Sequence, residues 1–187
     1  LNENIKTREE ALQGAKDIIA EKVSNDMVIR NKILDSMNQY GRIVTVKKKN
    51  AVDEKMVYKN YYDYSERVST LPNHRIMAID RGEKEKILTV SISINEDFHK
   101  DFAIRHTIKN RRSPTAPLVE EAIEDGLKRL AYPSLERVVR NNLTEKAQEA
   151  SIDVFSDNLG KLLLQAPMKN KRILGFDPAF RTGCKLA

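Results

Sequence analysis

The sequence predicts a mainly α protein, α-dominated with a few short strands, and three observations point there. Apolar residues recur at helical spacing through most of the 187 residues. Capping and helix-start signals stand ahead of those runs. One stretch, Leu88 to Ile94, alternates with a period of two.

Thr7-Arg8-Glu9-Glu10 reads as a capping box, because the Thr hydroxyl and the Glu carboxylate can each satisfy an orphan backbone N–H. A helix should follow from Arg8 to Val23, with Ala11, Ala15, Ile18, Ile19 and Val23 on its apolar face. Ser24, Asn25 and Asp26 restart a second helix, on which Ile29, Ile33, Met37 and Tyr40 share a face. Gly41 suits a left-handed C-terminal residue. The short join predicts that the two helices pack as an antiparallel pair. Arg42 to Val46 is β-prone. Asp53 to Tyr64 reads as a helix crowded with tyrosines. Pro72 suits the first position of another helix, which Gly82 would loosen or end. Leu88, Val90, Ile92 and Ile94 form a half-buried strand.

Phe98, Phe102, Arg105 and Ile108 return to helical spacing. Asn110 to Pro114 is a basic turn. Pro117 opens a helix with Leu118, Ala122, Leu127 and Leu130 inward, and Pro133 starts a short new one. Glu145 to Gln165 is the longest helical stretch, broken at Ala166-Pro167. After the basic linker Lys169 to Lys171, residues Ile173 to Asp177 read as a buried strand. Pro178, Arg181 and Gly183 fit a hairpin turn.

Composition narrows the function classes. Hydrophobic residues make up 40% and charged residues 32%, so a core can form. No apolar run is long enough for a membrane-spanning helix, and the N-terminus lacks a signal-peptide pattern. The single Cys184 cannot form an internal disulfide, which fits a reducing, cytoplasmic setting. The net charge of +6 permits contact with RNA or DNA without requiring it. No glycine-rich phosphate loop, zinc spacing or triad-like signature is visible.

Two segments are more specific than the rest: Ser69-Thr70-Leu71-Pro72-Asn73-His74-Arg75-Ile76-Met77-Ala78-Ile79-Asp80-Arg81-Gly82-Glu83, and Leu174-Gly175-Phe176-Asp177-Pro178-Ala179-Phe180-Arg181-Thr182-Gly183-Cys184-Lys185. In this order, with Tyr61-Tyr62-Asp63-Tyr64 ahead of the first, they resemble the Tex family of bacterial transcription accessory proteins. Ala179 departs from the Gly that many family sequences carry. The resemblance implies an elongated, helix-turn-helix-like helical region at residues 1–168. It implies that residues 169–187 are the first strands of a YqgF-type, ribonuclease H-like domain, truncated here. Helix-hairpin-helix and S1 RNA-binding domains would lie in the intact protein. The implied role is a non-catalytic scaffold acting in transcription. Its partners would be RNA or DNA, contacted mainly through the absent domains, and RNA polymerase or other transcription machinery. No membrane partner is expected.

Within that frame, Asp177 is the candidate for a carboxylate that helps hold Mg²⁺ in the full-length protein. Such chemistry needs several converging carboxylates, so this chain is expected to need no cofactor and to catalyse nothing. The alternative places Asp177 in the turn before Pro178. Lys47, Lys48 and Lys49, and Lys109, Arg111 and Arg112, are candidate phosphate contacts, as are Arg75 and Arg81 on the first signature segment. Each short basic run also reads as an ordinary solvated face. His74 also reads as a local hydrogen-bonding residue fixing the helix entry. Tyr58, Tyr61, Tyr62 and Tyr64 suit base stacking or a core edge.

Overall fold

The computed structural model describes residues 7–166, 168–181 and 183–187, and it is mainly α. Two compact units divide the chain, Leu1–Ser151 and Ile152–Ala187.

In the first unit, α1 spans Arg8–Asn25 and opens on the capping box: Glu10 N donates to Thr7 Oγ1 (3.1 Å) and Thr7 N to Glu10 Oε2 (3.2 Å). Asp26 ends α1 and caps α2 (Met27–Tyr40) by accepting from Val28 N and Ile29 N. Ile29, Ile33 and Met37 are buried as their spacing predicts, whereas Tyr40 points outward and Ile18 on α1 is exposed. The expected α1–α2 pair is not the main contact of α1. Its buried Ala20, Val23 and Ser24 pack chiefly on the helical segment around Gly126. Gly41 is not left-handed (φ −58°, ψ 150°). A Cβ there would come within 2.3 Å of the Met37 carbonyl oxygen, which explains the glycine.

A three-stranded antiparallel sheet of order β2-β1-β3 follows, built from β1 (Arg42–Lys47), β2 (Asp63–Arg67) and β3 (Leu88–Ser93). Leu88, Val90 and Ile92 turn inward and their neighbours outward, as the alternation predicts. The expected helix over residues 53–64 does not form. Asp53 instead gathers the segment into a turn, accepting from Val57 N (3.0 Å), Tyr58 N (2.9 Å) and the Tyr62 hydroxyl (2.9 Å). The buried Thr45 hydroxyl donates to Tyr61 O (2.6 Å) and ties that turn to the sheet. On the outer edge of β3, Ile92 N donates to the Glu136 carboxylate at 2.9 Å.

Helix α3 (Asn73–Lys84) starts one residue after Pro72, which occupies the cap position. Gly82 lies inside α3, where an added Cβ would meet the Leu88 and Tyr58 side chains. Asn95 caps α4 (Glu96–Thr107). After a loop come α5 (Ala116–Asp125), a widened helical segment at Gly126–Ala131, and α6 (Tyr132–Leu163). Pro133 therefore starts no new helix. The widened turn, in which Tyr132 N reaches back to Leu127 O, absorbs the missing N–H and the ring of Pro133 without a break. Gly126 sits against the α1 backbone, with the Ala20 carbonyl 2.5 Å from a built Cβ. Ile29, Ile33 and Met37 from α2, Ile76 and Ile79 from α3, the inward side of β3, and Ile123, Leu127, Leu135 and Val139 form one core.

In the second unit, α6 ends at Leu163. The expected breaker Pro167 lies outside the described residues. The expected buried strand from Ile173 is replaced by an exposed hairpin, β4 (Phe176–Pro178) with β5 (Cys184–Leu186), in which Asp177 faces Lys185. Among the described residues these two three-residue strands pair with each other alone, and Ile173, Leu174 and Phe176 are exposed. Gly183 adopts φ 87°, the left-handed value expected in the turn.

Candidate functional site

The two basic runs lie on separate loops. Lys47 ends β1, with its ammonium 4.6 Å from the centre of the Tyr62 ring. Lys48 and Lys49 follow in an exposed turn, which the backbone bond from Lys48 N to Ile87 O fastens to the start of β3. Lys109, Arg111 and Arg112 are exposed in the α4–α5 loop, shaped by Arg112 N donating to Asn110 Oδ1 (3.1 Å). None of these side chains has a carboxylate partner within 4 Å among the described residues. Asp26 at the start of α2 meets His106 near the end of α4 (3.3 Å), just ahead of the 109–112 loop.

The local charge is stronger than the net charge suggests. From Phe102 to Val119 the sequence carries Arg105, Lys109, Arg111 and Arg112 and no acidic residue. Ser36 to Val52 carries Arg42, Lys47, Lys48 and Lys49, again without one. This gap between carboxylates is the signal that a count of adjacent lysines and arginines misses.

Arg75 is placed differently. It donates to Glu66 Oε2 (2.6 Å) and the Tyr64 hydroxyl (3.0 Å), and Tyr64 also donates to Glu66. The hydrogen bond from Tyr64, then the hydrogen bond and charge of Arg75, hold the Glu66 carboxyl pKa below its ordinary value. Arg75 thus spends its charge bracing α3 on β2. Arg81 is exposed on α3. His74 is exposed and its imidazole makes no hydrogen bond among the described residues, so the side chain does not fix the helix entry. Tyr58 is buried, and Tyr61 and Tyr64 meet edge to face at 5.3 Å, which makes the tyrosine cluster a core edge.

The side chains that make the first signature segment structural were missed by sequence reasoning. Arg140 on α6 reaches α3 with Nη2 bonded to Asp80 Oδ1 (3.0 Å) and Glu83 Oε2 (2.6 Å), and Nη1 bonded to Glu83 Oε1 (3.0 Å). Thr144 donates to the other Asp80 oxygen at 2.7 Å. Asp80 and Glu83 are three apart, one helical turn, so both carboxylates meet one guanidinium. That spacing was readable, but the partner lies 57 and 60 residues away.

Asp177 shares a face of the β4–β5 ribbon with Lys185, its directly opposed residue. An ammonium there disfavours a divalent cation. No group of three or more His, Cys, Asp or Glu side chains is arranged to hold a metal among the described residues. Asp177 is thus a single carboxylate, and the Mg²⁺ site that the resemblance implies would need further carboxylates from outside the described residues. No described helix is long and apolar enough to cross a membrane.

Residues 1–155 match the family model described as Tex central region-like. The chain is 49% identical over 182 residues to the uncharacterised protein YdcI of Bacillus subtilis, covering 97% of the chain and 25% of that relative. It is 37% identical over 145 residues to the human S1 RNA-binding domain-containing protein 1, covering 73% and 14%. It is 29% identical over 196 residues to the transcriptional accessory protein Tex of Neisseria gonorrhoeae, covering 100% and 25%. The chain spans about a quarter of the length of its bacterial relatives.

Proposed function

The chain belongs to the Tex family, and from that premise we propose that it is a non-catalytic helical scaffold of a transcription accessory protein that holds nucleic acid through its exposed basic loops. The observation that carries this reading is the acid-free stretch from Phe102 to Val119, whose Lys109, Arg111 and Arg112 project unpaired from the α4–α5 loop. Such a loop tracks a phosphate backbone by releasing counterions, so binding is weak, tolerant of sequence and dependent on salt. Lys47, Lys48 and Lys49 form a second, smaller contact, and Arg81 an accessory one. Arg75 contributes to the fold instead. A cytoplasmic location and the dominant role of domains outside this chain belong to the same proposal. Mg²⁺ binding by Asp177 would require carboxylates from the intact protein.

The test is fluorescence anisotropy with a labelled single-stranded RNA at several salt concentrations. Replacing Lys109, Arg111 and Arg112 together by Ala should weaken binding. It should also lower the slope of log affinity against log salt by about 2, at ~0.7 per lost phosphate contact on a single strand. An unchanged slope, or tight binding insensitive to salt, would contradict the proposal.

A second reading, docking to RNA polymerase or other transcription machinery, draws on one observation. Ile152, Phe155, Leu159 and Leu162 are exposed on α6 at the three-four-three spacing of a helix–helix seam. Capture of polymerase subunits that survives nuclease treatment and is lost on Phe155→Ser would favour it. Loss of capture on nuclease treatment would return the role to the basic loops.

A further inference from the structure

The end of α2, the start of β1, the end of β3 and the first turn of α4 enclose a hollow of about 580 Å³. That is the size of a small-ligand site. Two aromatic rings line it, Tyr40 (71% exposed) and Phe98 (46% exposed). Neither is needed to fill the core, so both offer a face to a ligand. Lys32 and Arg42 also line it. The Lys32 ammonium stands 5.6 Å from the Phe98 ring centre, and Arg42 is oriented by Nε on Ser65 Oγ (2.9 Å) and Nη2 on Ser65 O (3.0 Å). Neither cation has a carboxylate within 4 Å among the described residues, although Arg42 also acts on Glu66 at longer range. Gln39 and Asn95 supply amides; the Asn95 amide oxygen accepts from Phe98 N, and its nitrogen has no partner among the described residues.

The electrostatics favour an anion beside a planar group. Asp35 is the one carboxylate in the lining, against two cations. Glu96 and Asp97, although in the first turn of α4, line a different hollow with Lys100, Glu124 and Lys128. Three terminal carbonyls of α2 are already occupied: Ser36 O and Met37 O accept from Gly41 N, and Gln39 O accepts from the Ser69 hydroxyl. The hollow also opens beside the acid-free stretch from Ser36 to Val52.

We propose that this hollow is a nucleotide subsite, which takes an unstacked base of a single strand against Tyr40 and Phe98, with Lys32 and Arg42 at the adjoining phosphate. Stacking on aromatic faces and amide contacts to base edges are how single strands are held. The inference rests on the nucleic-acid reading above and adds to it a specific pocket distinct from the α4–α5 loop.

The experiment uses the 187-residue chain with two probes. Labelled oligouridylate is followed by anisotropy, and uridine monophosphate by chemical-shift perturbation. Tyr40→Ala should weaken oligonucleotide binding about tenfold, the scale of one lost base stack, whereas Tyr40→Phe should bind like the unaltered chain. Uridine monophosphate should shift resonances of Lys32 to Arg42 and Ser93 to Phe98. Circular dichroism confirms that the variants fold, and Phe98→Leu provides an independent loss of ring. If Tyr40→Ala and Phe98→Leu leave affinity unchanged and the mononucleotide shifts nothing in the hollow, the subsite is overturned. The basic-loop reading survives that result provided the Lys109/Arg111/Arg112 variant still loses affinity. If no oligonucleotide binds at all, both readings fall. Occupation of the hollow by a peptide but not by the mononucleotide also overturns the subsite.

Discussion

Replacing Arg140 by Met tests whether the first signature segment is a structural clamp. The guanidinium is 18% exposed and makes three bonds of 2.6–3.0 Å to Asp80 and Glu83, whose side chains are 24% and 38% exposed. A hydrogen bond to a charged group contributes ~1.5–3 kcal/mol. The full sum does not apply, because Glu83 rehydrates when freed and Asp80 keeps its bond to Thr144. Met also retains much of the packing of the arginine stem. The remaining cost is about 2 kcal/mol, mostly from two neighbouring carboxylates left without their shared cation. That corresponds to roughly 4–8 °C in Tm for a chain of this size. Because Trp is absent, urea unfolding is followed by circular dichroism. In the Asp80→Asn, Glu83→Gln background the same replacement should cost less than about 1 kcal/mol, a coupling measured by the double-mutant cycle. A cost below about 0.5 kcal/mol in the unaltered chain, or equal costs in both backgrounds, would refute the clamp.

Three other outcomes follow from the packing and the titrating groups. His99 is fully buried, and neither ring nitrogen has a hydrogen-bond partner among the described residues. Burial, and secondarily Lys32, lower its pKa from 6.5. The unfolded chain therefore binds the proton more readily, so stability should fall as pH drops below about 6.5, and His99→Met should flatten that part of a Tm-against-pH profile. An unchanged profile would count against it. At lower pH a second loss should appear, because hydrogen bonds from Lys100 and Lys128 lower the Glu124 pKa to about 2. Stability from that group is present above about 4.5 and fades as pH falls towards 2. Removing both cations, Lys100→Met with Lys128→Met, should shrink this loss, and an equal acid transition would refute the assignment. Finally, Gly126→Ala should destabilise by ~1–3 kcal/mol and by more than Gly82→Ala in chemical denaturation. The reason is that a Cβ at 126 meets the α1 backbone, whereas at 82 it meets the movable Leu88 side chain. The reverse order would sink the argument.

What the sequence disclosed was local. The Thr7 box, the Asp26 cap, the Ile29-Ile33-Met37 stripe and the alternation of β3 involve residues within a few positions of one another, and periodicity and capping report such neighbours directly. The helix expected at residues 53–64 failed because Asp53 gathers the turn and Thr45, from another strand, holds the Tyr61 carbonyl. The new helix expected to start at Pro133 does not appear, because a widened turn upstream accommodates proline inside a helix. The candidate site was legible in part. Two short segments were enough to indicate the family, but Asp80 and Glu83 look like solvated helix charges until Arg140 is seen to join them. Arg75 looks available for phosphate until Glu66 is found beside it. Both pairings depend on tertiary distance, which composition and spacing do not encode.

The bond between Ile92 N and Glu136 has a consequence for assembly. An outer strand usually offers its amides to any passing polypeptide in an extended conformation, and one of those on β3 is already engaged by a side chain from α6. The opposite margin of the sheet is β2, whose Glu66 carboxylate is likewise already held, by Tyr64 and Arg75.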